Sequence, residues 1–274
     1  MTALDGPLLL VGCGKMGGAM LRGWLARDIL RHGVAVIEPD PTRLHDLLGV
    51  PGIGIYPDAH AVDPGLVPAA IVLAVKPQQM DAVMPDFRSL AGPRALFISI
   101  AAGKTLAYFA HHLGDTTPVI RAMPNTPAAV GRGMTVLVAG AAVTPAQAAL
   151  AELLLGAVGE VARVDDEALI DVVTAVSGGG PAYVFLLIEA LAAAGVAAGL
   201  PEELAMRLAR TTVVGSGELA RQSDESAATL RQNVTSPGGT TRAALDVLMA
   251  PDALPRLFVE AIAAATRRSR ELAK

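Results

Sequence analysis

The stretch Leu8-Leu9-Leu10-Val11-Gly12-Cys13-Gly14-Lys15-Met16-Gly17 decides how this chain is read. A short apolar run, too brief for a helix, leads into glycines spaced G-x-G-x-x-G, and a helix-length segment over 16–27 follows. The first glycine allows the tight turn, the second lets a pyrophosphate approach the backbone, and the third lets helix and strand pack closely. The phosphates then sit at the helix N-terminus. The spacing alone is a weak signal, but its place between a strand and a helix, with a second β-rich run at Val34–Ile37, supplies the context of a dinucleotide-binding unit.

The second strand runs into Glu38-Pro39-Asp40. Glu38 stands about 20 residues beyond the last glycine, where an acidic side chain accepts hydrogen bonds from the adenosine ribose. A carboxylate there repels a 2′-phosphate, and Arg43 offsets part of that repulsion. The pair leans towards NADH and leaves NADPH open; its plainer reading is a solvated strand end. Cys13 reads as a small side chain in a tight turn rather than as a reactive thiol.

Outward from the loop, β-rich runs at Leu8–Val11, Val34–Ile37, 70–75, 96–100, 119–121, 134–138 and 161–164 alternate with helix-length segments at 16–27, 77–90, 104–113 and 144–156. Continuous apolar strands separated by helices predict a parallel sheet covered on both faces. Beyond Asp165 the strand signal stops, and helices are expected over 167–176, 181–198, 201–221, 226–232, 240–249 and Leu254–Leu272. The fold class is therefore α/β: an N-terminal Rossmann-like doubly wound domain over 1–163, followed by an all-helical domain over 164–274.

Composition limits the function. The 274 residues are 52% apolar and 18% charged, with 22 basic against 26 acidic side chains and a net charge of −4. That balance gives no basic footprint for nucleic acid. One cysteine makes no internal disulfide, and no leader-like segment precedes the first strand, so a cytoplasmic enzyme is expected. The five histidines show no metal-ligand spacing, and no metal site is predicted. Residues 181–200 have the length of a membrane span, yet they are rich in Ala and Gly, contain Glu189 and lack a basic flank. A helix buried on most sides inside a domain or a subunit interface, without membrane, is the better reading.

Further clusters stand at expected strand ends: Ala74-Val75-Lys76-Pro77-Gln78, Ser99-Ile100-Ala101-Ala102-Gly103 and Arg121-Ala122-Met123-Pro124-Asn125-Thr126-Pro127. The carboxyl ends of parallel strands line the ligand crevice. The helical part carries Ala175-Val176-Ser177-Gly178-Gly179-Gly180-Pro181-Ala182-Tyr183 and Asn233-Val234-Thr235-Ser236-Pro237-Gly238-Gly239-Thr240-Thr241. Together these motifs resemble the pyrroline-5-carboxylate reductase family over nearly the whole chain. The resemblance implies reduction of a cyclic imine by NADPH or NADH to give L-proline, and helical dimers that in some members assemble into rings. It implies that Gly12, Cys13, Gly14, Lys15, Met16 and Gly17 hold the pyrophosphate, that Ala74, Val75, Lys76 and Pro77 wall the ribose side, and that Ala101, Ala102 and Asn125 surround the nicotinamide. It implies that Val234, Ser236, Gly238, Gly239 and Thr240 hold the substrate and that Thr241 is catalytic. Family members that favour NADPH usually carry a hydroxylated, basic or amide residue after the second strand, so Glu38 is a departure.

Those residue types suit the chemistry. The substrate presents a carboxylate and a readily protonated ring nitrogen. Backbone N–H groups at a glycine-rich helix start cradle an anion, and the Thr241 hydroxyl is placed to hydrogen-bond the nitrogen. Taken alone, Ser-Pro-Gly-Gly-Thr-Thr is equally a turn and helix cap. Likewise 177–181 reads either as a joint between helices or as a wall near the nicotinamide. Asp224 or Glu225 is a further candidate neighbour of the substrate, against a solvated-loop reading. The four lysines are Lys15, Lys76, Lys104 and Lys274, none on the helix expected at 181–198. A hydroxyacid dehydrogenase with its acid/base lysine there is disfavoured, because ketone reduction needs a proton donor that a protonated imine does not. A reductase of another cyclic imine and a non-catalytic nucleotide sensor are the remaining alternatives.

Overall fold

The computed structural model describes residues 6–272; residues 1–5 and 273–274, the outer ends of the two expected domains, lie outside the described residues. The chain forms two compact units. One runs to Gly178 and takes the chain back from Ala265, and the other is Gly179–Ala264.

The first unit is built on one eight-stranded sheet. In chain order its elements are β1 (Leu8–Val11), α1 (Lys15–Ala26), β2 (Val34–Ile37), β3 (Ile53–Tyr56), β4 (Ala70–Leu73), α2 (Met80–Val83), β5 (Leu96–Ser99), α3 (Leu106–Leu113), β6 (Val119–Met123), β7 (Gly133–Ala139), α4 (Pro145–Leu155), β8 (Gly159–Arg163) and α5 (Leu169–Val173). The strands lie in the order β3-β2-β1-β4-β5-β6-β7-β8, whose first six positions are the doubly wound dinucleotide-binding order. Each strand sends alternate residues to opposite faces. Leu8 and Leu10 join Trp24 of α1 and Leu154 of α4 on one side. Leu9 and Val11 join Met80, Phe97 and Phe109 on the other. Both faces are covered, which is why the strands read as unbroken apolar runs. Trp24, 1% exposed, also donates its indole N–H to the Leu154 carbonyl at 2.8 Å, fixing α1 to α4.

The structure corrects the sequence expectation in three places. The sheet is parallel through β6, but β7 pairs antiparallel with β6. Only a short turn at Thr126–Val130 joins them, and a parallel return needs a crossover of a dozen residues or more. The edge strand β3 was not expected: it is four residues long, half-buried and interrupted by Gly54. The helix expected over 77–90 is broken into 3-10 turns at Pro77–Gln79 and Met84–Leu90 around the single turn of α2, because Pro85 removes a backbone donor within it.

The change from strands to helices falls after β8, near the expected 163/164 junction, but the compact unit extends to Gly178. Ile170 of α5 packs with Val136 and Val138 of β7, which keeps α5 on the sheet. A π-helical turn, Thr174–Gly178, follows it. The second unit comprises α6 (Gly180–Ala197), α7 (Glu202–Gln222), α8 (Ala227–Asn233), α9 (Thr240–Leu248) and most of α10 (Leu254–Leu272). The last turns of α10 belong to the first unit, where the Ser269 hydroxyl donates to Asp171 of α5 at 2.7 Å.

Candidate functional site

The glycine loop sits at the carboxyl end of β1, between β2 and β4. Gly12 has φ +89°, and a Cβ there would lie 2.9 Å from Val75 Cγ1 and 3.0 Å from the Ala74 carbonyl carbon. The backbone N–H groups of Gly12 and Ala74 donate to Ile37 and Val11 at 2.8 and 2.7 Å. The next strand end thus presses against the turn, and no larger residue fits. A Cβ at Gly17 would strike the Gly12 carbonyl, so that glycine sets the contact of α1 with β1. At Gly14 such a Cβ would meet, among the described residues, Arg43 Nη1 at 3.9 Å and nothing nearer. Gly14 is the N-cap of α1 and no side chain of the described residues caps it, which leaves first-turn N–H groups without a side-chain cap. This is the donor set and the room that a pyrophosphate requires.

Glu38 is 5% exposed. Its Oε2 accepts from Cys13 N at 2.8 Å and its Oε1 from Asp40 N at 3.1 Å. Arg43 Nη1 lies 3.6 Å from Oε1, and Arg43 Nε lies 3.2 Å from Asp40 Oδ2. Each carboxylate oxygen accepts more than one hydrogen bond, so the side chain both anchors the loop and retains acceptor capacity. Burial and the neighbouring Glu38 charge push the Cys13 thiol up to about 11, which keeps it protonated and unreactive.

The β4 and β5 ends lie alongside. Ala74, Val75 and Pro77 are partly exposed and Lys76 is exposed. Ala101 is buried and donates its N–H to Ser99 Oγ at 3.3 Å, while Ala102 is partly exposed. A side-chain cluster unanticipated in the sequence joins these two loops. Asp81 Oδ1 accepts from Lys104 Nζ at 3.0 Å and from the Tyr108 hydroxyl at 2.6 Å. Those bonds hold its carboxyl below the usual range.

Asn125 follows β6, and both ends of its amide are engaged by the first unit's own backbone. Nδ2 donates to the Ser177 carbonyl at 3.1 Å, and Oδ1 accepts from Met134 N at 2.8 Å. Its side chain is a brace between β7 and the π-helical turn. Arg121, 3% exposed, donates to Glu167 Oε1 at 2.8 Å, and the same oxygen accepts from Leu106 N at 2.8 Å. Glu167 therefore ties β6 to the start of α3.

The residues expected to hold substrate lie together on one loop of the second unit, between α8 and α9. Gly238 has φ +69°, and Gly239 N donates to the Ser236 carbonyl at 3.1 Å, closing a turn into α9. Gly239 is the N-cap and has no side-chain cap. Ser236, Gly238, Thr240, Thr241 and Val234 are exposed. The loop thus presents uncapped N–H groups with hydroxyls on either side, which suits a carboxylate. Glu225 Oε2 accepts from Asn233 Nδ2 at 3.1 Å, one residue before Val234. No group ties Asp224 to the loop among the contacts of the described residues.

The same unit is apolar outside. On α6, Phe185 and Leu186 are 60% and 62% exposed, and Val214, Val247 and Val259 on the later helices are more than half exposed. The helix stretch Leu169–Ala197 has the length and hydropathy to cross a membrane. Between α6 and α7 the packing is close: Ala192, Ala205 and Ala209 are buried, and a Cβ at Gly195 would meet Ala205 Cβ at 3.2 Å.

Comparison with known proteins places this geometry. Residues 167–272 match the family model described as pyrroline-5-carboxylate reductase dimerisation, and residues 8–103 match one described as NADP oxidoreductase, coenzyme F420-dependent. A pyrroline-5-carboxylate reductase of Synechocystis is 43% identical over 97% of each chain. A solved pyrroline-5-carboxylate reductase from Coxiella burnetii is 35% identical, with TM-score 0.90 over 99% of both chains. Another, from Plasmodium falciparum with NADP bound, is 27% identical, with TM-score 0.79 over 98% of this chain and 99% of that one.

Proposed function

Because the chain belongs to the pyrroline-5-carboxylate reductase family, we propose how its own residues carry out that family's reaction, the transfer of hydride from NAD(P)H to the C=N bond of 1-pyrroline-5-carboxylate to give L-proline. The nucleotide supplies the hydride. Gly12 to Gly17 hold the pyrophosphate, a reading supported by the uncapped α1 N-terminus and the open space above Gly14. Ala74, Val75, Lys76 and Pro77 flank its ribose, and Ala101 and Ala102 the nicotinamide side, with Asn125 bracing that wall.

The observation that carries the substrate assignment is the loop from Ser236 to Thr241, with a glycine at positive φ and an uncapped helix start. N–H groups of Gly238 and Thr240, with the Ser236 hydroxyl, hold the carboxylate, Gly239 shapes the cradle by closing the turn onto the Ser236 carbonyl, and Val234 lies beside the ring. The Thr241 hydroxyl hydrogen-bonds the ring nitrogen as hydride reaches the adjacent carbon. The imine arrives protonated, so positioning and stabilisation of the forming amine suffice, with no strong acid. Deuteride from labelled NADH is expected on proline Cδ, the ring carbon next to nitrogen that carries no carboxylate; label elsewhere would contradict the assignment.

Glu38 favours NADH. Its buried carboxylate is one hydrogen bond from the phosphate loop and repels a 2′-phosphate, while Arg43, half-exposed, softens that repulsion enough for NADPH to be used less well. The exposed apolar faces of α6 and α7 are covered by a second copy in a homodimer, with rings built from dimers, and the protein acts in the cytoplasm without a membrane. Support comes from the dimerisation family match over 167–272 and from the small-residue packing of α6, which suits close helix association.

A further inference from the structure

The π-helical turn Thr174–Gly178 holds a hydroxyl without a partner. Thr174 Oγ1 donates back to the Ile170 carbonyl at 2.8 Å, as Ser and Thr in helices usually do. Ser177, one turn later, makes no such bond: its Oγ is buried and has no hydrogen-bond partner among the described residues. A buried orphan hydroxyl is costly and calls for an explanation, and π-helical turns concentrate at functional sites.

The turn is also held in place with care. The Ser177 carbonyl accepts from Asn125 Nδ2, whose other end is fixed by Met134 N. A Cβ at Gly178 would lie 2.7 Å from Met123 Cε, so the chain runs against the end of β6. In this strand order the adenosine half of a dinucleotide lies over β2, and the nicotinamide half over the strands on the other side of β1. β6 is three places from β1 on that side. Ser177 is therefore braced at the nicotinamide end of the crevice, within the same unit as the glycine loop. The residue as a whole remains partly exposed, and its χ1 has other staggered rotamers to take.

We propose that the Ser177 hydroxyl is a positioning group for the cofactor, making a hydrogen bond to the carboxamide of the nicotinamide ring, and that Asn125 acts by bracing the turn that presents it. The inference rests on the nucleotide-binding reading above. Its test compares NADH with ADP-ribose, which lacks the nicotinamide, by titration calorimetry on the parent protein and on Ser177→Ala, together with the melting temperature of each protein without ligand. The expected result is about 5- to 10-fold weaker NADH binding in the variant, unchanged ADP-ribose binding, and a ligand-free melting temperature equal to or above that of the parent. Unchanged NADH binding, equal weakening of both ligands, or a lowered ligand-free melting temperature would each overturn it. A parent protein that binds neither ligand overturns the nucleotide-binding reading itself, and the ADP-ribose arm makes that failure recognisable.

Discussion

The backbone N–H of Cys13 donates to Glu38 Oε2 at 2.8 Å, so the acidic side chain that ends β2 also holds the glycine loop that opens α1. On the proposed reading of Glu38, cofactor choice and loop order are coupled in one carboxylate. Glu38→Ser removes a charge-assisted bond, an effect of about 1.5–3 kcal/mol, and removes the repulsion of a 2′-phosphate. The expected outcome is a 10- to 100-fold fall in kcat/KM with NADH and a smaller fall, or a gain, with NADPH. An unchanged ratio of the two values would remove Glu38 from cofactor selection.

Thr241 is exposed at the second position of α9 and caps nothing. Thr241→Ala should lower turnover by about 10- to 100-fold, the scale of one hydrogen bond made in the transition state. The melting temperature and the KM for the nucleotide should stay as they are. Full turnover in the variant would exclude the hydroxyl from the reaction.

Arg121 and Glu167 form a largely buried ion pair at 2.8 Å, with side-chain exposures of 4% and 28%. Removing one member of such a pair leaves the other uncompensated, at a cost of about 3–5 kcal/mol. Arg121→Ala is expected to lose stability on that scale in urea denaturation. Glu167→Gln, which keeps an acceptor for Leu106 N, should lose less.

The Cys13 thiol gives a pH signature. Its ordinary value is 9.0 and the folded value is about 11, raised first by burial and then by Glu38. Between those values the unfolded thiol has released its proton and the folded one has not. Folding stability should therefore fall as pH rises from about 9 to about 11 and this contribution should level off beyond. Comparing urea midpoints of parent and Cys13→Ala across that window isolates it; parallel curves would show that the thiol is not shifted.

Phe185 of α6 and Val214 of α7 are 60% and 63% exposed in the single chain. Phe185→Glu combined with Val214→Glu places charge on a face read as the subunit contact. Light scattering should show a lower mass at equal concentration, whereas an unaltered mass would place the contact elsewhere.

Much of this was legible from local pattern. The β1 loop and α1 are specified by neighbours a few residues apart, and β1, β2, β4, β5 and β6 are buried on both faces, so their composition alone marks them. β3 escaped because four half-buried residues with a glycine carry almost no periodic signal. The reversal at β7 was hidden because strand direction depends on the length of the connection, not on the strand's own residues. Site residues fared similarly. The place of Glu38 beside the glycine loop was legible by its distance from the last glycine. Glu167 was not, since its partners Leu106 and Arg121 lie 61 and 46 residues away. Nor could the sequence show that both ends of the Asn125 amide are engaged by backbone, because that emerges only when β7 and the π-helical turn meet at the end of β6.

Hydride transfer to a cyclic imine is read from the loss of NADH and NADPH absorbance on adding pyrroline-5-carboxylate, with L-proline identified as the product. Rapid oxidation, faster with NADH than with NADPH and yielding proline one-for-one, is the predicted result. Protein that binds both nucleotides yet oxidises neither in the presence of the imine would contradict it.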